Sequence, residues 1–327
     1  MKAWICTELS GEDGLRLQDL PSPTCAAGQV KVRNHCVSLN FPDVLITRGI
    51  YQLKPPLPFV PGNEMAGVIV EVGSDIRNFS IGQRVMAMSG SGAYAQEVLV
   101  KPPNWQIHLI PDSMSFAEAA AFNMVYGTSY HGLRQRGALQ AGETLLVLGA
   151  SGGCGGTAVE LGNIMGATVI AGASNDEKCA AAKALGAHHT INYGRENLRD
   201  RVMEITQGEG ADVIYDPVGG PLFEQAKRCA AFNCRYLVVG FAAGGIPNIA
   251  LNYTLLKSMS VVGVGYGLSA LKDPAMNNAN FAQLFDWYQQ GLLKPNIGRR
   301  CTLEELPDAL RQMHAGKTIG KTVVDFI

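Results

Sequence analysis

The first hundred residues carry short segments in which apolar and polar positions partly alternate, with glycine and proline between them. In GQVKVRNHCVSLN (residues 28–40), Val30 and Val32 fall on one face and Lys31 and Arg33 on the other. This period of two is typical of a β-strand. The frequent glycine and proline breaks predict a closed or sandwiched antiparallel module.

The pattern changes at about residue 142. TLLVLGA (144–150) is a nearly continuous apolar run, typical of a strand buried on both faces. Similar runs then alternate with helical stretches as far as a last strand, SVVGVGYG (260–267), which predicts a parallel, doubly wound α/β sheet. A helix at 280–293 and a closing strand at 321–327 follow. Because that tail has no sheet of its own, we expect it to return to the first module.

Length, composition and charge narrow the class of protein. A chain of 327 residues suggests two domains. Lys and Arg number 27 against 28 Asp and Glu, so neither a nucleic-acid surface nor an anionic-membrane patch is expected. No apolar run approaches the roughly 18 residues of a membrane span, and the start does not resemble a signal peptide. The eight scattered cysteines suggest reduced thiols. We therefore expect a soluble, cytoplasmic enzyme.

A glycine-rich turn follows the first buried strand. Residues 149–156 read G-A-S-G-G-C-G-G, which is the G-x-G-x-x-G pattern with Ala150 in place of the first glycine. Gly152 lets the backbone approach a pyrophosphate, Gly155 lets the helix pack on the strand, and the helix N-terminus favours phosphate. The turn therefore predicts a dinucleotide site. Its expected contacts are Ser151, Gly152, Gly153 and Cys154.

The end of the next strand indicates which dinucleotide binds. An NAD site usually has Asp or Glu there to hold the ribose 2′-hydroxyl, but the strand ends A-G-A-S without a carboxylate. Ser174, Lys178 and Tyr193 are expected to surround a 2′-phosphate instead, which predicts NADPH. Asp176 would either cap the following helix or repel the phosphate. Further along, Gly240 and Phe241 end the fifth strand, at the sheet edge where nicotinamides lie.

The residues quoted above carry a family resemblance that covers essentially the whole chain. Residues 38–73, the G-A-S-G-G-C-G turn and the S-x-x-x-K of Ser174 and Lys178 resemble the zinc-independent quinone oxidoreductase branch of the medium-chain dehydrogenase/reductase superfamily. This resemblance implies a Rossmann doubly wound sheet and a GroES-like, mostly antiparallel, β-barrel-like catalytic domain, with a cleft between them.

The expected domain boundaries follow from the resemblance and the pattern together. The catalytic domain spans residues 1–122 and is completed by 268–327, and the Rossmann NADPH-binding domain spans 123–267. Relatives often dimerise through the edge strand in 260–267, and exposed apolar edges invite pairing. We therefore expect a homodimer.

The resemblance also implies roles for single residues. Asn40 would orient the nicotinamide or donate to the acceptor carbonyl, although asparagine is also common in turns. Tyr51 resembles a tyrosine that related enoyl reductases use as a proton donor, and simple packing is the alternative. Tyr126 and Thr128 would approach the nicotinamide. Lys321, in the tail, would reach the cofactor.

The zinc ligands of related alcohol dehydrogenases are missing from this sequence. Where those enzymes carry Gly-His-Glu, this chain has Gly62-Asn63-Glu64, and near their first ligand cysteine it has Asn40. The loop of four cysteines expected between residues 85 and 115 is also missing. None of the histidines has a cysteine or histidine partner at ligand spacing. We therefore predict no metal site.

Without a metal to polarise oxygen, hydride needs an acceptor that delocalises its own developing charge. Quinones and α,β-unsaturated carbonyls do so, which predicts an NADPH-dependent quinone or enone reductase. One alternative is a 2-enoyl-thioester reductase, although its candidate basic residues, Arg48, Lys54, Arg134 and Arg136, form no cluster in the sequence. The other is a weakly catalytic, NADPH-sensing or RNA-binding module, and the net charge gives little support for RNA.

Overall fold

The structure, a computed structural model, describes residues 1–52, 54–102 and 106–326. The strands are β1 Lys2–Cys6, β2 Leu15–Asp19, β3 Val30–Ser38, β4 Glu64–Val72, β5 Arg84–Met88, β6 Glu97–Val100, β7 Ile107–Leu109, β8 Thr144–Leu148, β9 Thr168–Ala173, β10 His189–Asn192, β11 Ala211–Asp216, β12 Ala230–Val238, β13 Ser260–Gly263, β14 Ile297–Thr302 and β15 Lys321–Asp325. The α-helices are α1 Phe41–Thr47, α2 Phe116–Ala120, α3 Asn123–Tyr130, α4 Gly153–Ile164, α5 Asp176–Ala184, α6 Leu198–Ile205, α7 Phe223–Ala226, α8 Leu251–Lys257, α9 Tyr266–Lys272, α10 Pro274–Gln289 and α11 Leu306–His314.

The chain divides into two compact units. The first unit contains Met1–Met124, Ala270–Pro274 and Pro295–Ile327, and the second contains Val125–Ser269 and Ala275–Lys294. Within the part of the chain that the structure describes, no helix is both long and apolar enough to cross a membrane.

The helix α10 belongs to the second unit, which differs from the expectation that all of 268–327 completes the first. Its side chains Phe281 and Leu284 are buried. Trp287 makes an edge-on ring contact with Tyr130, at 5.6 Å between centroids. These apolar contacts account for its place in the second unit, whereas β14 and β15 join the sheet of the first as the pattern predicted.

The first unit contains a mostly antiparallel sheet with the strand order β14-β15-β3-β4-β5-β7, and β6 also pairs with β3. The period of two predicted for β3 is confirmed at its start, since Val30 and Val32 are fully buried and Arg33 is exposed. A register shift opposite β4 lies between Asn34 and Cys36, but the alternation of buried and exposed residues continues as far as Cys36. This bulge is a local kink of the strand.

The second unit contains a parallel sheet with the strand order β10-β9-β8-β11-β12-β13. Leu145 and Leu148 on β8 are fully buried, as the continuous apolar run predicted. The sheet and its connecting helices confirm the doubly wound α/β fold class. The prediction that the last strand continues to residue 267 is wrong, because β13 ends at Gly263 and helix α9 begins at Tyr266.

Candidate functional site

A short helix in the first unit places two of the polar side chains. Helix α1 begins after Asn40, whose extended backbone (φ −129°, ψ 152°) makes it the N-cap. Asp43 completes a capping box, since its Oδ2 accepts a 2.8 Å hydrogen bond from the backbone N–H of Asn40. Seven residues are too few for a helical period to be visible in the sequence, so the pattern did not predict α1.

A buried polar cluster lies next to this helix start; it consists of Ser38, Asn40, Glu64 and Lys321. None of these residues is more than 5% exposed, and Glu64 is fully buried. The Glu64 carboxylate accepts hydrogen bonds from Ser38 Oγ, from Asn40 Nδ2 at 2.9 Å and from the backbone N–H of Met124 at 2.7 Å. Burial of such a charge is tolerated when it is paired and hydrogen-bonded, and Lys321 supplies the pairing cation.

The ammonium group of Lys321 is fully engaged within the protein. Its Nζ lies 2.6 Å from Asn40 Oδ1, 3.0 Å from Glu64 Oε2 and 3.0 Å from the carbonyl oxygen of Leu39. A lysine ammonium has three N–H donors, so these acceptors use all of them. The sequence expectation that Lys321 reaches the cofactor would therefore require one of these bonds to break.

Two tyrosines lie in the electrostatic field of Asp43. Burial raises the pKa of Asp43 to about 6, although the hydrogen bonds from Tyr94 and from the Asn40 backbone oppose the rise. Tyr94 donates to Asp43 Oδ2 at 2.8 Å. Tyr51 is half-buried, and burial together with the charge of Asp43 raises its pKa above the usual 10. The hydroxyl of Tyr51 is therefore protonated at neutral pH, as a proton donor must be.

The donor groups of the first unit do not fit zinc. Zinc needs three or four Cys, His or carboxylate ligands that converge, and no such group of three is found among the described residues. In the buried polar cluster, the carboxylate of Glu64 already faces the ammonium of Lys321 at 3.0 Å. A second cation there would be repelled by the ammonium of Lys321.

The glycine-rich turn of the second unit lies between β8 and α4. Gly152 is the N-cap of α4, with extended backbone. A Cβ on Gly155 would lie 2.1 Å from the carbonyl oxygen of Gly149, so this position requires glycine for the turn to close. A Cβ on Gly152 would have only that same oxygen within 4 Å, at 3.4 Å, so the backbone at the helix N-cap is otherwise open to a close neighbour. The other predicted contact residues, Ser151, Gly153 and Cys154, lie beside Gly152 in the chain. The turn thus fits a bound pyrophosphate.

The end of β9 brings together the residues predicted to hold a 2′-phosphate. Lys178 Nζ lies 3.3 Å from Ser174 Oγ. The side chain of Tyr193 also hydrogen-bonds to Ser174. Asn175, rather than Asp176, caps α5, because its side chain accepts from the backbone N–H of Lys178 at 2.8 Å.

The charge of Asp176 is engaged by neighbours that the sequence analysis did not single out. It pairs with Arg195 at 2.8 Å, and Asn192 Nδ2 donates to it at 2.9 Å. This pairing reduces the repulsion that Asp176 would exert on a phosphate. The only sign of this pairing in the sequence was that a basic residue, Arg195, follows shortly after the strand β10.

Tyr126 and Thr128, predicted to approach the nicotinamide, lie on α3 and are buried. The hydroxyl of Tyr126 donates a 2.6 Å hydrogen bond to Glu160 Oε2. Glu160 also accepts from the backbone N–H of Lys294, at 2.7 Å. Burial raises the pKa of Glu160 to about 7. Sequence reasoning missed Glu160, because an acid within a helical stretch normally indicates a solvated face.

Gly240 and Phe241 follow the carboxyl end of β12, as predicted. The backbone N–H of Gly240 donates to the carbonyl oxygen of Asp216, at 3.3 Å. A Cβ on Gly219 would lie 2.9 Å from the ring of Phe241. The loops after β11 and β12 are therefore in contact at the sheet edge where dinucleotides bind in such folds.

Comparisons with known proteins agree with this architecture. Residues 26–112 match the alcohol dehydrogenase GroES-like domain family, and residues 153–287 match the family described as zinc-binding dehydrogenase. The chain is 39% identical over 328 residues to a quinone oxidoreductase-like protein 2 homolog of Nematostella vectensis, covering 99% of this chain and 88% of that protein. It is 33% identical to a quinone oxidoreductase of Pseudomonas aeruginosa, covering 96% of each.

A solved structure has the same fold. The crystal structure of Escherichia coli quinone oxidoreductase complexed with NADPH superposes with a TM-score of 0.92 at 25% identity, covering 100% of both chains.

Proposed function

Because the chain belongs to the quinone oxidoreductase branch of the medium-chain dehydrogenase/reductase superfamily, we propose that this oxidoreductase reduces quinones or α,β-unsaturated carbonyls with NADPH. The cofactor supplies the hydride when bound. The chain's own residues bind and orient it, position the acceptor and hold a proton for the product oxygen. Both the dependence on NADPH and the acceptor class are proposals.

The buried polar cluster is the observation that carries the choice of acceptor. An alcohol dehydrogenase of the same superfamily lowers the pKa of an alcohol with a metal ion, and the donor set here does not fit one. Quinones and enones place the developing negative charge on a carbonyl oxygen that hydrogen-bond donors stabilise. We assign this role to Asn40, and we assign Tyr51 the role of proton donor for enones.

Ser174 and Lys178 support NADPH over NADH. Their side chains lie 3.3 Å apart, where a 2′-phosphate is expected, and Asp176 is paired with Arg195. A charge-assisted hydrogen bond contributes about 1.5–3 kcal/mol. In this proposal the second unit binds the cofactor through the glycine turn, Tyr193 and the loop at Gly240 and Phe241, and the first unit provides the catalytic groups.

A homodimer and a cytoplasmic location are also proposed. Strand β13 is the outer strand of the parallel sheet, and Val261 on it is 42% exposed. Leu251, Leu255 and Leu256 of α8 are between 73% and 81% exposed, a large apolar area for a protein surface. A second copy presents the same unpaired edge, and pairing would cover it. The free cysteines support a reducing compartment.

The proposal is tested by following NADPH oxidation with chelator-treated protein against a panel of acceptors. The panel holds 1,2-naphthoquinone, 1,4-benzoquinone, an alkenal, crotonyl-CoA and a simple aldehyde, with NADH run in parallel. Turnover confined to quinones and enones, with NADPH preferred, is the expected result. Alcohol oxidation that is restored by added zinc would overturn the proposal. Tight NADPH binding without turnover on any acceptor would favour a cofactor-sensing protein, and turnover on crotonyl-CoA alone would favour a thioester reductase.

A further inference from the structure

We propose that Lys321 is a positioning residue, whose buried ammonium group fixes the side-chain amide of Asn40 and balances the carboxylate of Glu64. The inference deepens the proposed function and rests on it, because Asn40 is the group assigned to the acceptor. It also replaces the sequence-based expectation that Lys321 contacts the cofactor.

The hydrogen-bond partners of Asn40 define the orientation of its amide. Lys321 Nζ donates to Oδ1 at 2.6 Å, and Nδ2 donates to Glu64 Oε2 at 2.9 Å. An ammonium group can only donate, and an ionised carboxylate can only accept. A flipped amide would place Nδ2 against the ammonium and Oδ1 against the carboxylate, so the flip is disfavoured at both ends. Nδ2 carries two N–H groups, and only one of them is used by the bond to Glu64. The second can donate to the acceptor, and its direction is fixed because Lys321 holds the other end of the amide.

The anchorage of Lys321 makes it suitable for this role. It is the first residue of β15, and only 4% of it is exposed. Its third N–H group donates to the carbonyl oxygen of Leu39, the residue directly before Asn40. The ammonium therefore holds both the backbone leading into Asn40 and its side chain. Side chains held by packing and hydrogen bonds in this way keep a reacting geometry to within fractions of an ångström.

The same cation balances the buried acids around it. Glu64 and Asp43 are both buried, and the charge of Lys321 lowers the pKa of Asp43 while that of Glu64 raises it. The other groups that face Asp43 are Tyr94 and Tyr51. Without Lys321, the charges of Glu64 and Asp43 would repel each other with no ammonium to balance them. Asp43 would therefore hold its proton to a higher pH.

The decisive variant is Lys321→Met, which keeps the length and apolar stem of the side chain but removes the ammonium. We expect kcat to fall on the order of 10²-fold on quinones and enones alike, as for a misplaced catalytic group. The Kd of NADPH should stay within about twofold of the native value, because in this proposal the substitution removes no contact with the cofactor. Lys317→Met, an exposed lysine in the same segment, is the matched control and should change neither value. A tenfold or larger rise in Kd with unchanged kcat would overturn the inference.

A double variant separates positioning from charge balance. In Lys321→Met the carboxylate of Glu64 is left buried without its cation, so we expect thermal stability to fall. Combining Lys321→Met with Glu64→Gln removes both charges of the pair, so part of that stability should return. The kcat should remain low, because the donor to Asn40 Oδ1 is still missing. Recovery of both stability and kcat would show that Lys321 only balances charge, and the positioning role would then be wrong.

A measurement without substrate keeps this inference separate from the proposed function. In the native protein, burial raises the pKa of Asp43 from the ordinary 3.8 to about 6. Between these values the folded state binds more protons than the unfolded chain, so the free energy of unfolding falls as the pH rises towards 6. In Lys321→Met this loss should continue to higher pH, which thermal unfolding between pH 5 and 8 would record. An unchanged pH profile would overturn the electrostatic link. If the native protein reduces no acceptor, the proposed function fails and this profile still decides the link.

Discussion

The phenol of Tyr126 donates a 2.6 Å hydrogen bond to Oε2 of Glu160, and both side chains are buried. Glu160 lies on α4, the helix that begins at the glycine turn, and Tyr126 lies on α3. The hydroxyl of Tyr126 therefore links two helices of the second unit.

The pH dependence of stability should report the ionisation of Glu160. Burial raises its pKa to about 7, whereas the unfolded chain releases this proton near the ordinary value of 4.5. Between these values the folded state binds more protons, so this contribution to stability falls as the pH rises from 4.5 to 7. In Glu160→Gln this fall should disappear, and the variant should gain in Tm relative to the native protein above pH 7.

Thermal unfolding from pH 4 to 8 measures this effect. Glu177→Gln, an exposed acid on α5, is the control and should follow the native curve. Parallel curves for the native protein and Glu160→Gln would contradict the prediction.

The cofactor preference should depend on Lys178. In Lys178→Ala we expect the Kd of NADPH to rise about ten- to a hundredfold, because a charge-assisted hydrogen bond of about 1.5–3 kcal/mol is lost. The Kd of NADH should hardly change, since it has no 2′-phosphate. Titration of protein fluorescence with each cofactor measures both values. Lys183→Ala on the same helix is the control, and equal losses for the two cofactors would argue against a 2′-phosphate contact.

Tyr51 should matter for enones more than for quinones. Tyr51→Phe removes a hydroxyl that is protonated at neutral pH, because burial and the charge of Asp43 raise its pKa. We expect kcat on an alkenal to fall several-fold, which is within the range of general acid catalysis, with little change on 1,2-naphthoquinone. Steady-state kinetics on the two acceptors is the test. A large and equal loss on both would show that Tyr51 acts in binding.

The outer edge of the parallel sheet should control assembly. Val261→Lys places a charge on β13, and charged edge positions oppose strand pairing between chains. We expect the variant to be monomeric by light scattering at concentrations where the native protein is dimeric. Phe232→Lys, at another exposed apolar position on β12, is the control for the added charge. A native protein that is monomeric throughout would contradict the proposed dimer.

Local sequence patterns predicted the fold well where they were strong. The structure confirms the strand predicted from the apolar run at 144–150, the helix after the glycine turn and the alternation of strands and helices that follows. The pattern was weaker where elements are short or locally ambiguous. It did not predict α1, and it extended the last strand to residue 267, although Gly265 precedes a helix.

The sequence by itself determined the fold class, the family and the position of the glycine-rich turn, because each depends on residues that are close together in the chain. Only the tertiary structure decided how distant side chains meet. Lys321 reaches Asn40 across 281 positions, and Tyr126 reaches Glu160 across 34. Hydrogen bonds and ion pairs of this kind are set by the register of strands and the packing of helices. Their members therefore carry no mutual signal in a single sequence.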